Sequence, residues 1–281
     1  MEQRQPQNSP FRGDPFFQER WAFWRYLYGF LAPERRRSAL ILLYAVVAVA
    51  LWSYIPKAPR LLEASPTGEV AYVAPVGFSP DLSFGERVKM MILSSQKIWG
   101  ALLFFCLIPM GIIRFVFRER IADYGLGFGV VRLTLLMSLA MSPVFILVGY
   151  FSGALASMLT TYPYSPWILG GERTIGDGKT FMALYFALYF FVYYFSWEFF
   201  FRGFLQLGLD SSLGSYNAIL IGTAMSTVAH FGHAFPEVLG AVLGGLFWGF
   251  WVYRTRSLFF GWWSHALLGI ALDFMLIRNF L

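Results

Sequence analysis

The sequence predicts an all-α polytopic membrane protein with about seven transmembrane helices. Hydrophobic residues make up 57% of the chain and charged residues only 14%, whereas a soluble domain carries about 25% charged residues. Apolar runs close to the ~20 residues that cross a ~30 Å hydrocarbon core recur along the chain.

The first helix is expected over 38–55. The segment before it, 1–37, is polar and Arg-rich with no short apolar core, so the first span is expected to act as an uncleaved anchor. Arg4, Arg12, Arg20, Arg25, Arg35, Arg36 and Arg37 precede that span. Arg114, Arg118 and Arg120 flank a second helix at 97–117, and Arg254 and Arg256 fall between the last two. That distribution follows the positive-inside rule and puts the N-terminus in the cytoplasm, in a plasma or inner membrane. The formal charge of +6 therefore reads as topology. No base-stacking or phosphate-cradling element accompanies the basic residues, so a nucleic-acid partner is excluded and the lipid bilayer is the expected one.

A third helix is expected over 131–151, after an interfacial linker from Arg118 to Gly127. Four more are expected over 180–208, 216–235, 237–253 and 257–277, which leaves Leu281 outside. The connections 56–96 and 152–179 carry Pro, Gly, Ser and Tyr and are expected on the exoplasmic side, although they hold Lys57, Arg60, Arg87, Lys89, Arg173 and Lys179. The sixth helix bears Gly240, Gly244, Gly245 and Gly249, a small-xxx-small pattern that lets helices approach closely in lipid. No repeat is evident, which argues against an inverted-repeat transporter. Cys106, the lone cysteine, can form no intrachain disulfide. The chain divides into a basic segment (1–37), an N-terminal group of helices and loops (38–179) and a polar-motif core (180–277).

Glu198 and Arg202 stand four residues apart on one face of the fourth helix, within an aromatic run whose rings are expected to serve packing and lipid contact. A carboxylate at bilayer depth is costly unless paired, hydrated or neutralised, which makes it a functional candidate. A structural ion pair would account for these two residues alone. The three histidines, His230, His233 and His265, all follow. At 1.5 Å per residue Glu198 lies ~15 Å, His230 ~21 Å and His265 ~12 Å from the cytoplasmic helix ends, so three polar groups converge on the middle of the membrane. A buried glutamate held by an arginine can act as general base. A histidine can share the attacking water, and another can donate to an oxyanion in a dry site. Asp273, two turns after His265 with Gly269 between, is expected either to orient His265 or a water or to be an interfacial charge. His230, His233 and Glu237 would be the ligands if a metal were bound. They lack the glutamate beside the first histidine of His-Glu-x-x-His sites, so no metal and no other cofactor is expected.

Three segments in order, Trp197-Glu198-Phe199-Phe200-Phe201-Arg202, Ser226-Thr227-Val228-Ala229-His230 and His265-Ala266-Leu267-Leu268-Gly269, resemble the motifs Glu-Glu-x-x-x-Arg, Phe-x-x-x-His and His-x-x-x-Asn/Asp. These are motifs of the CAAX-protease and bacteriocin-processing (Abi) family of intramembrane proteases. The basic turn Arg254-Thr255-Arg256-Ser257-Leu258 is also similar, and the resemblance covers 180–277. It implies a glutamate-dependent endopeptidase acting on membrane-anchored or membrane-presented proteins or peptides. Glu198 and His230 would activate water, His265 would stabilise the oxyanion, and Arg202 would hold the glutamate. Trp197, Ser226 and Gly269 depart from the family pattern. Two other readings stay open on the residues alone: a proton-coupled carrier relaying through Glu198, the histidines and Asp273, and a non-catalytic scaffold or immunity protein of the same fold.

Overall fold

The computed structural model describes residues 33–56, 61–64, 70–73, 83–165 and 178–280; the basic segment expected over 1–37 lies almost wholly outside them. The described chain is helical apart from one antiparallel hairpin, β1 (Leu61–Ala64) with β2 (Val70–Val73), in the first long connection. Six helices are long and apolar enough to cross a membrane, and the chain is an integral membrane protein. The all-α polytopic class is as the sequence predicts.

Helix α1 (Pro33–Tyr54) starts on a proline, whose missing N–H costs nothing at a helix N-terminus. Ile41, Ala45, Ala48, Val49 and Trp52 turn inward, while Leu43, Val46, Val47 and Leu51 are exposed. Large apolar side chains facing outward along a span mark the lipid side. Helix α2 (Phe84–Ser94) opens with a capping box between Ser83 and Glu86 and is too short to span. The Nζ of Lys97, at the start of α3 (Gln96–Phe117), donates to the carbonyls of Trp52 (2.7 Å) and Ser53 (3.1 Å). It thereby satisfies acceptors that the end of α1 leaves free.

Helix α4 (Val131–Gly153) is mostly lipid-facing and packs along α8 (Phe259–Phe280). Gly149 and Gly153 face the backbone carbonyls of Leu268 and Leu272, and a Cβ at either glycine would collide with them. Such contact is how helices gain van der Waals energy where lipid supplies no hydrophobic drive.

Helix α5 (Thr180–Leu213) runs 34 residues, beyond the expected end at 208, with π-helical stretches at Tyr189–Tyr194 and Phe199–Leu207. It is the core of the bundle. Phe199, Phe200, Phe201 and Phe204 are fully buried, so this aromatic run serves packing inside the protein. Phe105 of α3 stacks on Phe200 at 4.6 Å between ring centres.

Helix α6 (Ser215–Ala229) has only 15 residues, where 216–235 was expected. A turn containing Gly232, at φ +87°, replaces its last part, and Pro236 then opens α7 (Phe235–Thr255). Gly245 of α7 lies against Thr223 of α6, as the glycine pattern predicts, but Gly240 meets no neighbour and lines a cavity. After α7 the basic turn is pinned to the loop following α3. Val130 N–H donates to the Thr255 carbonyl (3.1 Å) and Leu258 N–H to that of Gly125 (2.9 Å). Arg256 reaches Asp210 at 2.6 Å.

Candidate active site

Two polar clusters face one cavity of about 170 Å³ among α4, α5, α6, α7 and α8. The first joins α5 to α8. Glu198 is fully buried, and its Oε1 accepts a hydrogen bond from His265 Nδ1 at 2.7 Å. Arg202, one turn on and also buried, puts a guanidinium nitrogen 3.4 Å from the same oxygen. That nitrogen makes no hydrogen bond among the described residues, so the pair is an ion contact. Arg202 also sits 5.6 Å from the ring centre of Trp248, within cation–π range. Trp248 stacks on His265 at 4.2 Å and donates through Nε1 to Ser264 (2.9 Å). The imidazole is thus clamped edge and face, which fixes its tautomer and plane.

The second cluster joins the end of α6 to the start of α7. His230 Nδ1 donates to the Ser226 carbonyl at 2.7 Å, which leaves Nε2 as an acceptor in the neutral ring. That Nε2 is 3.8 Å from Glu237 Oε1. The same carboxylate oxygen accepts from His233 Nδ1 (2.8 Å) and from the Tyr162 hydroxyl (2.6 Å). Trp197, where the first motif of the resembled family has glutamate, packs edge-on to His230 at 5.1 Å.

The sequence joined Glu198 with His230, but the hydrogen-bonded partner of Glu198 is His265. His230 and His265 line the cavity together with Arg202 and Glu237, whereas Glu198 borders a second cavity of about 200 Å³ beside Gly125–Phe128, Leu258 and Phe259. Glu198 therefore stands behind His265. The reason is geometric: α8 packs against the face of α5 that carries Glu198, whereas the end of α6 meets the face that carries Trp197.

Gly269 lies under Tyr194, whose hydroxyl takes the space that a Cβ there would need. Asp273 is buried and accepts from Tyr185 (2.7 Å), which removes the alternative of an exposed interfacial charge. Sequence reasoning missed Tyr162, Tyr194 and Trp248. Gly269, a gap where the resembled motif has a polar side chain, was the one signal that something large must fill the space.

Residues 179–271 match the family described as "Type II CAAX prenyl endopeptidase Rce1-like". No curated protein and no solved structure matches the chain. The matched segment, which carries Glu198, Arg202, His230, His233, Glu237 and His265, is similar to this Rce1-like CAAX-protease family.

Proposed function

We propose that the protein is an intramembrane endopeptidase that hydrolyses peptide bonds in membrane-anchored or membrane-presented substrates, such as a lipid-anchored tail, a leader peptide or a sorting tail. The observation that carries the reading is the 2.7 Å bond from His265 to a fully buried Glu198, with His265 in the wall of a cavity that His230 also lines. Glu198 acts through His265: a carboxylate behind an imidazole stabilises its protonated form. His265 then donates to the oxyanion or to the leaving group.

His230, its Nδ1 committed to a carbonyl, offers Nε2 as the acceptor for a proton from water. Water oxygen attacks the scissile carbonyl carbon as that proton passes to His230, and the carbonyl oxygen becomes an oxyanion. Collapse breaks the C–N bond and delivers a proton to the leaving nitrogen, giving a carboxylate and an amine. Arg202 offsets the charge of Glu198 and keeps it tolerable at this depth. No cofactor enters this reading.

The test is a comparison of membrane-protein termini in cells carrying the wild type or Glu198→Gln at matched abundance. New termini dependent on the wild type, and absent with Glu198→Gln and His230→Ala, support the endopeptidase. Identical termini with an intact biological phenotype overturn it and favour a scaffold.

One observation favours a second reading. Glu198 borders a second cavity that no histidine lines, an arrangement suited to a proton carrier with alternating access. Proton flux into liposomes holding the wild type, lost in Glu198→Gln, would favour the carrier. Flux no greater than in empty liposomes would exclude it.

A further inference from the structure

His233 and Glu237 lie outside all three motifs, and the proposed reaction uses neither. We propose that His230, His233 and Glu237 form a divalent-cation site, with zinc the ion that their chemistry fits. This departs from the expectation of a metal-free protein, which rested on the missing His-Glu-x-x-His pattern. Here two histidines and a glutamate are brought together by a turn and the helix N-terminus after it.

The donor atoms of the three residues all lie within 4.8 Å of one another. Bonds of ~2.0–2.1 Å in a tetrahedral zinc site put ligand atoms about 3.3 Å apart. The separations from Glu237 Oε1, 2.8 Å to His233 Nδ1 and 3.8 Å to His230 Nε2, straddle that value. A metal-ligating histidine characteristically donates its other ring N–H to a carbonyl or carboxylate, and His230 Nδ1 does so to Ser226. Tyr162 orients the carboxylate by its 2.6 Å hydrogen bond. Glu237 Oε2 is buried with no hydrogen-bond partner among the described residues. Arg202, the cationic side chain in the cavity wall, is already paired with Glu198.

Two imidazoles and one carboxylate suit zinc, and three protein ligands leave a fourth position for water, as in catalytic sites. His230 and Glu237 line the cavity, so that position opens into it. A bound ion would be held by His230 Nε2, His233 and Glu237 and would supply Lewis-acid activation of water, taking over the water-activating role that His230 has in the metal-free reading. Ion binding does not depend on the endopeptidase reading and is measured without turnover.

The experiment uses the full chain in detergent micelles, stripped with a chelator and titrated with zinc against a chromophoric competitor. One zinc per chain is expected. His233→Ala and Glu237→Gln should each weaken binding at least tenfold, Tyr162→Phe should weaken it by about 10–100-fold, and Glu198→Gln should leave it unchanged. Cobalt(II) in the wild type should give the intense visible absorption of a four-coordinate site, a readout that needs no variant to fold. Binding far below one equivalent, or a six-coordinate cobalt spectrum, would overturn the site. So would equal affinity in His233→Ala and Glu237→Gln. Zinc binding without any substrate cleavage would defeat the endopeptidase reading alone, and cleavage at full rate in chelator by a protein that binds no zinc would defeat the cation site alone.

Discussion

The hydroxyl of Tyr194 rests on the backbone of Gly269, in the space a side chain at that position would fill. Tyr194 is also packed against His265, at 4.7 Å between ring centres, so the glycine sets where one wall of the cavity stands. Gly269→Ala should push Tyr194 off this seat and destabilise the protein by about 1–3 kcal/mol, as overpacking does. Thermal unfolding in detergent measures it. Adding Tyr194→Ala should cost less in the Gly269→Ala background than in the wild type, because the clash is then already gone. Strict additivity would contradict the contact.

Glu198 and Arg202 are both buried, so each is the other's chief compensation. Arg202→Met should destabilise by about 3–5 kcal/mol, because it leaves a buried carboxylate without its cation. Glu198→Gln together with Arg202→Met should recover most of that loss. Unfolding by steric trapping in bicelles reports both, and a double variant no more stable than Arg202→Met would show that the pair is not the dominant interaction.

Lys97 ties the start of α3 to the last carbonyls of α1 and lies 4.2 Å from the ring centre of Trp52. Lys97→Met keeps the apolar stem and removes the donors. It should lower stability by about 1.5–3 kcal/mol, the range for hydrogen bonds made by a charged group. An unchanged unfolding midpoint would mean that water satisfies those carbonyls equally well.

Glu119, outside the spans, is gripped by Arg37 of α1 through Nε at 2.9 Å and a second nitrogen at 3.2 Å, and Tyr124 donates to the same carboxylate at 2.6 Å. Partial burial would raise the Glu119 pKa, but the hydrogen bonds from Tyr124 and Arg37 outweigh it and hold the group below its ordinary 4.5. A carboxylate lowered on folding adds stability above its unfolded pKa and loses it as pH falls through the folded value. Glu119→Gln should therefore be less stable than the wild type at pH 7. The difference should shrink toward zero as pH drops below about 4.5. A gap that stays constant with pH would exclude a charge-based contribution.

The spans were legible because lipid leaves a chain few options: backbone groups must pair within a helix, and the outward side chains must be apolar. Helix ends were less so. The stop of α6 at Ala229 depends on Gly232 and Pro236, both visible in the sequence, but apolar residues on each side masked the break. Glu198, Arg202, His230 and His265 could be singled out because ionisable groups are rare at such depth. Their pairing could not, since the Glu198–His265 bond joins positions 67 residues apart and depends on which helix packs against which face of α5. Tyr162, Tyr194 and Trp248 stayed hidden for a different reason. In a chain where one residue in five is aromatic, a ring that clamps an imidazole looks like any other ring until its neighbours are known.

The brevity of α6 reaches beyond the protein itself. Fifteen residues rise only ~22 Å, well short of a ~30 Å hydrocarbon layer. Where that helix stops, either the bilayer pinches inward to meet it or polar headgroups and solvent descend to the level of His230. Mismatch of this kind costs fractions of a kcal/mol per ångström, enough for acyl-chain length to matter. The surrounding lipid thereby bears on the hydration of the histidine cluster, which short-chain bilayers should raise and long-chain bilayers should lower.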